Sequence, residues 1–551
     1  AGITLTQNST INTNTAGGNI DLDGAVDGGS KSLSLTAGTG VITSALAISG
    51  VTTLEVVSSN STIFTGSVNA TTVTLTDTTD AGNIEFDGNL TAATLNVASQ
   101  AFDVEINEDA AITNAATFSN TGLLVLGDSA DDNLTFTGGV TAITQLGGAA
   151  AIKVAGDIAT TNTNVNLGSA NAGITLTQNS TINTNTAGGA ITLDGAVDGG
   201  SKSLSLTAGS GAINLNETIS GVSDLTINTT GVTTIAKEIS GLATLTTNAG
   251  GSVILEDDIT TTGAITLRND LTIADGVSSV ITSAATADID QLYQAIAGAD
   301  GTGENLTLMA GTNAASTITV QGTITNIDTL VITDAGIVNF NDAVTVDTLT
   351  IPTAVNNVSM NGGGTIANNM TFANVGTLNI NEGTLQTATF TGGLTATTQT
   401  ATAVGINTIG TIATTNNTMT LGDADTGIRL LGNTTFNTGG GALNLNGAIS
   451  GAGDNDTLTL NSVAGATTIA KAITDITTLT VTSGTFDATA IEAMGLITIT
   501  NAGAGAITGI ISDGTSAASL TKAGAGTLTL SAANTFTGLL TVNAGTVSLT
   551  G

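Results

Sequence analysis

Three groups of acidic side chains are the residues of this sequence that could most readily bind an ion. They are Asp128, Asp131 and Asp132, then Glu256, Asp257 and Asp258, then Asp454 and Asp456. Carboxylate oxygens are ligands that Ca²⁺ prefers in proteins. However, the sequence contains neither the glycine-rich calcium nonapeptide of β-rolls nor an EF-hand loop. We therefore predict solvated turns with no metal-binding residue and no cofactor, and keep Ca²⁺ at these acidic turns as the alternative.

Side chains that usually perform catalysis are scarce. The sequence has no His and no Cys, which removes the commonest general bases, nucleophiles and metal ligands. Its basic residues are never closer than 31 positions: Lys31, Lys153, Lys202, Lys237, Arg268, Arg429, Lys471 and Lys522. Aromatic side chains, which sugar-binding subsites favour, make up only 2% of the chain. We predict no catalytic or cofactor-binding residue and no enzymatic activity, and a β-helix enzyme acting on polysaccharides is the least favoured alternative.

The strong negative charge restricts the partners that this chain can have. Forty-three acidic residues against eight basic residues give a formal net charge of −35. Such a surface repels nucleic acid and anionic lipid, so we predict neither as a partner. No stretch approaches the ~18 consecutive apolar residues of a membrane-spanning helix. We therefore predict no direct insertion into a membrane.

Internal repetition constrains the fold most strongly. Residues 1–40 and 172–211 are identical at 37 of 40 positions, at an offset of 171. Two looser repeats have offsets of 254 and 234, the second relating Thr233–Lys237 to Thr467–Lys471. The three offsets are close to multiples of about 21 residues, which is the length of one turn of a β-solenoid.

Short runs of alternating apolar and polar residues recur at the same interval. One series begins at Leu33, Leu54, Val73 and Leu95, and a second begins at Leu204, Leu225, Leu245 and Ile265. Alternation of this kind predicts strands with one buried face. We predict a single continuous parallel β-solenoid over residues 1–551, with two or three strands in each turn of about 21 residues. Tandem β-sandwich domains are the alternative.

The composition indicates what lies inside and outside such a turn. Few aromatic residues and many Val, Ile, Leu and Ala residues predict a narrow aliphatic core. Asn and Thr at equivalent positions of successive turns can form ladders of side-chain hydrogen bonds. Equivalent carboxylates repel one another, so we expect the acidic residues to be scattered around the turn.

Two segments depart from the strand pattern. Residues 286–298 place apolar side chains at Ile289, Leu292, Tyr293 and Ile296, a spacing that predicts a short amphipathic helix. Residues 487–495 predict a further helical turn. We interpret both as short helical excursions that cover defects in the stack of turns.

The segment Leu520–Val547 has the most distinctive sequence. It reads Leu-Thr-Lys-Ala-Gly-Ala-Gly, Thr-Leu-Thr-Leu, Ser-Ala-Ala-Asn-Thr-Phe-Thr-Gly and Leu-Leu-Thr-Val-Asn-Ala-Gly-Thr-Val. By itself it predicts two strands, with Gly524 and Gly526 allowing a tight corner. It resembles the passenger-associated repeat of autotransporters, although Phe536 replaces the usual Tyr and Ala532 the usual Gly. We therefore identify residues 520–551 as a solenoid turn of this repeat type.

The rest of the chain resembles, more weakly, the repeats of filamentous-haemagglutinin-like adhesins. These resemblances imply a right-handed parallel β-helix on the surface of a Gram-negative bacterium. They also imply a structural role in adhesion or self-association, with neighbouring copies or a host or matrix surface as partners. A surface-layer or extracellular filament subunit that assembles into an ordered array is the alternative, because the acidic, cysteine-free, hydroxyl-rich composition fits it equally well.

The two ends of the sequence lack the atypical polar turns that usually close a solenoid. Ala1 lies inside the repeated segment, and Gly551 follows the strand pattern Val547-Ser-Leu549. We therefore expect residues 1–551 to be part of a longer or processed precursor, or their ends to contact neighbouring chains.

Overall fold

All regular structure in the computed structural model is β-structure, and no helix occurs among the residues that it describes. The described residues are 2–13, 17–76, 82–146, 148–248, 250–284, 288–292, 294–311, 313–382, 385–399, 405–453 and 456–551. The chain forms a parallel β-solenoid of about 24 turns with about 22 residues in each. Its internal contacts divide it into two compact units, Ala1–Asp270 and Leu271–Gly551.

Each turn of the first unit contributes strands to three parallel sheets. The residues that stack in the three sheets over several turns are Ile174, Val197, Ile219, Ile239 and Ile259; Leu204, Leu225, Leu245 and Ile265; and Ile191, Ile213, Thr233 and Val253. The second predicted series of alternating runs is therefore in register, and so is the first, which begins at Leu33.

The strands of the first unit are short where the chain turns a sharp corner and long where a strand continues through a corner. In chain order they are Ile3–Thr4, Ser9–Asn12, Ile20–Leu22, Val26–Thr36, Val41–Ser44, Ile48–Ser58, Ser61–Phe64, Val68–Leu75, Asn83–Phe86, Leu90–Val97, Asp103–Ile106, Ala110–Ile112, Ala116–Phe118, Leu124–Leu126, Asn133–Phe136, Val140–Ala142, Gly148–Ala159, Val165–Leu167, Ala172–Asn183, Ile191–Leu193, Val197–Asp198, Leu204–Gly209, Ile213–Leu215, Ile219–Ser220, Asp224–Thr229, Val232–Ile235, Ile239–Leu242, Thr244–Thr247, Ser252–Leu255, Ile259–Thr261 and Ile265–Thr266.

The second unit repeats the same arrangement, and the boundary between the units falls in its first strand. Its strands are Asp270–Ile273, Ser278–Thr282, Ile289–Leu292, Ile296–Gly298, Asn305–Met309, Thr317–Val320, Ile324–Phe340, Val344–Thr350, Val355–Met360, Gly364–Ile366, Met370–Phe372, Leu378–Ile380, Thr387–Phe390, Leu394–Ala396, Ile406–Thr414, Met419–Leu421, Ile428–Asn437, Leu443–Leu445, Ile449–Gly451, Thr457–Asn461, Ala466–Ile469, Ile473–Ile476, Thr478–Ser483, Thr485–Ala488, Ile491–Ala493, Leu496–Asn501, Gly505–Ile507, Ile511–Asp513, Ser519–Lys522, Thr527–Leu530, Leu540–Val542 and Thr546–Leu549.

The stacking explains why the period is not constant. Ile219 pairs with Ile239, 20 positions further on, whereas Ile289 pairs with Ile318, 29 positions further on. The strands keep their register because their apolar residues must face the core, so additional residues are accommodated at the corners. The predicted period of about 21 residues is thus slightly shorter than the observed mean.

The core is narrow and mostly aliphatic, as the composition predicts. Ile, Leu, Val and Ala fill most inward positions, and ten of the eleven Phe side chains are fully buried. Phe64 and Phe86 stack on successive turns, with ring centroids 5.1 Å apart. The alternative of tandem β-sandwiches is wrong, because the strand ladders of the described residues run parallel from turn to turn.

Repeated sequence produces repeated local structure. In the first copy of the 40-residue repeat, the amide of Ser32 donates to Asn8 Oδ1 at 3.1 Å; in the second copy, Ser203 donates to Asn179 Oδ1 at the same distance. The looser repeat at an offset of 254 also has a structural counterpart. Buried Gln145 and Gln399 each donate a side-chain amide to a buried asparagine, at 3.2 and 3.1 Å.

Both predicted helices are wrong. Within residues 286–298 the chain forms the strands Ile289–Leu292 and Ile296–Gly298, while positions 286, 287 and 293 lie outside the described residues. Ile289 and Ile296 are buried because both face the core, on either side of a corner. Two short strands separated by a corner therefore produced the apolar spacing of a helix. Residues 487–495 likewise lie in the strands Thr485–Ala488 and Ile491–Ala493.

Replacing a core leucine should disrupt the structure far more than changing its neighbour. Leu206 is fully buried and pairs with Ile227, whereas Ser205 points outward. We expect Leu206→Asp to destabilise the surrounding turns by more than about 3 kcal/mol, because it buries an unpaired carboxylate. Ser205→Asp should be nearly neutral. Hydrogen exchange and limited proteolysis would measure both; equal effects would contradict this inside–outside assignment.

Candidate functional site

The first and third predicted acidic groups each contain a carboxylate that closes a loop. Asp132, which is buried, accepts hydrogen bonds at 2.8 Å from the amides of Asp128 and Ser129. Asp456, also buried, accepts from the amides of Ala452 and Gly453 at 2.7 and 3.0 Å. In both loops the acid satisfies backbone donors of its own corner. These bonds give Asp132 and Asp456 a structural role.

The other members of the predicted acidic groups do not gather into an ion site. Asp131 is exposed, and Asp257 accepts a hydrogen bond at 2.9 Å from the amide of Asp258. Asp454 lies outside the described residues. Among the described residues, none of the predicted groups brings three carboxylates within ligand distance of one another.

A different set of acids does come together in the second unit. Asp275, Asp300 and Glu304 each offer a carboxylate oxygen, and these oxygens lie within 4.8 Å of one another. Asp275 and Asp300 are exposed, whereas Glu304 is fully buried. This is the only such group of three among the described residues.

This group is not apparent in the sequence because its members are up to 29 positions apart. A signal was nevertheless present in the segment Asp300-Gly-Thr-Gly-Glu304, where two acids flank a glycine-rich turn. The missing partner, Asp275, lies one turn earlier at the same corner. Only the register of the two turns reveals that it is a neighbour.

Acidic residues also stack on adjacent turns of the first unit. Glu85 and Glu105 occupy paired positions, so the expectation that acids scatter around the turn is wrong here. Burial, followed by the charges of Asp87 and Glu105, raises the pKa of Glu85 above its usual value. Burial also raises the pKa of Glu105, with Asp103 adding to the effect and Lys153 opposing it. Asn107 partly compensates by donating to Glu85 at 3.2 Å.

Uncharged polar residues form the expected ladders between turns. Asn341 donates to Gln321 Oε1 at 2.8 Å, and Asn361 donates to Asn341 Oδ1 at 3.1 Å. Such bonds lie on the outside of the turn, where they join one turn to the next. They form two successive steps of the predicted ladder.

Surface grooves of the first unit are lined by the same types of side chain. One groove of about 420 Å³ is lined by residues that include Thr117, Thr141, Asn164 and Asn166, and none of its lining residues is titratable. Another, of about 360 Å³, is bordered by Ser, Thr, Asn, Ala, Val and Gly alone. Neither groove contains a group that could act as a general acid, a general base or a charged nucleophile.

The segment 520–549 forms the last strands of the second unit. Lys522 is fully buried, and its ammonium group donates to the carbonyl of Gly524. Burial lowers the pKa of Lys522 below its usual value. Gly526 is required because an added Cβ would lie 1.8 Å from the carbonyl oxygen of Gly503 in the preceding turn. Asn534 accepts from the amide of Ile511, in the preceding turn, at 2.8 Å.

Comparison with known families agrees with this local structure. Residues 520–549 match the model of the passenger-associated-transport-repeat family. No curated protein and no solved structure gives a significant match to the chain. The matched repeat and the β-solenoid together fit an autotransporter passenger-like repeat protein. Among the described residues, none forms a helix with the length and apolar character needed to span a bilayer.

Removing one of the stacked glutamates should stabilise the first unit at neutral pH. Glu85 and Glu105 are paired on adjacent turns, so replacing Glu85 by the neutral Gln should gain roughly 0.2–1 kcal/mol at pH 7. A raised pKa means that the folded state takes up its proton before the unfolded state as pH falls. The native chain therefore recovers stability on acidification, and the advantage of the variant should vanish below about pH 4.3.

Thermal unfolding of both proteins between pH 4 and pH 7 would measure this effect. Glu55→Gln is a suitable control, because Glu55 accepts a hydrogen bond from Ser34 at 3.1 Å and pairs with no acid in the adjacent turns. The control should give no gain at pH 7. A Glu85→Gln variant that is less stable than the native chain at pH 7 would contradict the repulsion inferred here.

Proposed function

We propose that this chain is a non-enzymatic passenger segment of an autotransporter, exposed outside a Gram-negative bacterium and acting in adhesion or self-association. The observation that carries the proposal is the passenger-associated-transport repeat at residues 520–549, which continues the parallel stacking of the turns before it. Because of this continuity, the repeat is a further turn of the same parallel stack.

The chemistry of the surface supports a structural role. The outward faces offer ordered amide and hydroxyl groups, and the two grooves described above have no titratable lining. Rows of neutral donors and acceptors are suited to many weak polar contacts with a surface or a second copy. The charge of −35 opposes indiscriminate clustering, so contacts should depend on these patterned neutral surfaces.

Adhesion or self-association requires the folded turns, so disrupting the core should abolish it. Beads coated with the purified chain should clump with one another or bind cell and matrix surfaces in a saturable manner. Ser205→Asp, which changes only an outward side chain, should retain this activity. Leu206→Asp should lose it, because the turns that order the polar surface no longer form.

Electron microscopy of the same preparations and of native cells would distinguish the form of association. Isolated or bundled fibres at the cell surface support the passenger proposal. A periodic lattice would instead support the surface-layer alternative. Beads that neither clump nor bind any cell or matrix surface, together with failure of protease to remove the chain from intact cells, would contradict the proposal.

A further inference from the structure

We propose that Asp275, Asp300 and Glu304 form a Ca²⁺-binding site at one corner of the second unit. The three acids come from two successive turns, and the strands on either side of the corner hold them in place. Ile273 pairs with Gly298 before the corner, and Ser278 pairs with Asn305 after it. The intervening loops, 274–277 and 299–304, therefore lie one above the other.

The separation of the oxygens suits one shared ion. Ca²⁺ binds oxygen ligands at about 2.3–2.6 Å, so two ligands on opposite sides of the ion are about 4.6–5.2 Å apart. The three carboxylate oxygens lie within 4.8 Å of one another, so a single ion can contact all three. Exposed Asp275 and Asp300 leave room for water molecules to complete the six to eight ligands that Ca²⁺ takes.

The buried acid provides an independent reason to expect a cation. Glu304 is 0% exposed, and its Oε2 has no hydrogen-bond partner. Its Oε1 accepts only a long bond, 3.3 Å, from the amide of Asp300. A buried carboxylate oxygen without a partner is costly, and no described Lys or Arg pairs with Glu304. An ion held between the three acids would neutralise this charge.

The loop is held in shape by bonds that leave Glu304 Oε2 unused. Asp300 Oδ1 accepts from the amide and the hydroxyl of Thr302, at 2.9 and 2.7 Å. Gly301 and Gly303 have φ values of 86° and 95°, which favour glycine and let the loop bend back towards the preceding turn.

A residue of the following turn also supports the loop. The amide of Gly303 donates to Asp328, and the amide of Asp328 donates to the carbonyl of Glu304 at 2.8 Å. Glu304 and Asp328 hold equivalent positions, directly before the paired residues Asn305 and Thr329. The loop is therefore fixed on one side by the next turn, and carboxylate oxygens of Asp300 and Glu304 lie within 4.8 Å of one of Asp275 in the preceding turn.

The chemistry of the group favours Ca²⁺ over other cations. With neither His nor Cys in the chain, all ligands are hard oxygens, which excludes a preference for softer transition metals. Mg²⁺ demands near-ideal octahedral geometry, whereas Ca²⁺ tolerates a mixture of buried and exposed carboxylates with water. A site with three carboxylates on an extracellular protein would bind Ca²⁺ at about 10⁻⁴–10⁻³ M.

Calorimetric titration of the chelator-treated full chain with CaCl₂ tests the site. We expect one saturable site per chain and a rise in the thermal stability of the second unit when Ca²⁺ is present. Glu304→Gln has nearly the same shape but loses the charge. It should weaken Ca²⁺ binding at least tenfold, as should Asp275→Asn. Asp131→Asn, which removes an exposed acid outside the site, should bind Ca²⁺ like the native chain.

The stability of the variant without Ca²⁺ separates binding from a merely structural role. In chelator, Glu304→Gln should be as stable as the native chain or more stable, because it removes a buried charge; with Ca²⁺, only the native chain should gain stability. The proposal is overturned if the native chain shows no saturable Ca²⁺ binding. It is also overturned if Glu304→Gln and Asp275→Asn bind as tightly as Asp131→Asn, which would indicate diffuse attraction to the acidic surface. An equal response to MgCl₂ would overturn the assignment to Ca²⁺.

Discussion

Each turn of this protein depends on the turn beside it for its backbone hydrogen bonds, and this requirement fixes the register of every strand. A parallel ladder is satisfied only when successive turns present equivalent residues to one another, as Leu204, Leu225 and Leu245 do. A slip of one residue would move the apolar side chains out of the core. The narrow core, the repeats in the sequence and the polar ladders all follow from this constraint.

The same constraint places the irregular backbone at the corners of the turns. The side chains that could bind a ligand are therefore found there as well. Extra residues interrupt the ladder, so longer turns accommodate them in loops such as 299–304 or at irregular pairings within a strand, such as the shift between Leu308 and Met309. Loop amides then need acceptors, which Asp132 and Asp456 supply from within their own loops. Glu304 differs because its Oε2 has no such partner, and a carboxylate oxygen of Glu304 lies within 4.8 Å of one of Asp275 in the neighbouring loop. Corner acids of similar sequence therefore have different roles.

Much of the fold could be predicted from the sequence because stacked turns need apolar residues at equivalent positions. These residues recur in the sequence at an interval of about one turn. The runs that begin at Leu33 and Leu204 gave the strands, the period and the inward faces, and Leu520–Val547 gave the family resemblance. The helix predicted at 286–298 failed because apolar residues on two strands around a corner can imitate helical spacing. The residue pattern within a single turn cannot distinguish a helix from two strands around a corner. The pairing of Ile289 with Ile318 in the next turn does distinguish them.

Prediction of the acidic site failed for a related reason. Acids adjacent in sequence, such as Asp131 and Asp132, point in different directions at a corner, whereas Asp275 and Asp300 become neighbours through the register of two turns. The stacking of Glu85 on Glu105 was missed in the same way. Proximity in a solenoid depends on the exact length of each turn, and that length varies with every corner loop.

Cross-linking of paired cysteines tests the register most directly, because the native chain contains no cysteine. Ser205 and Thr226 are paired on adjacent turns and both point outward, so their cysteine variants should lie about 5 Å apart. Ser205→Cys with Thr226→Cys should be joined efficiently by a short thiol cross-linker. Ser205→Cys with Thr234→Cys, which places the second thiol on a different sheet, should not be joined. Equal yields for the two pairs, or efficient joining of the second pair alone, would contradict the parallel in-register solenoid.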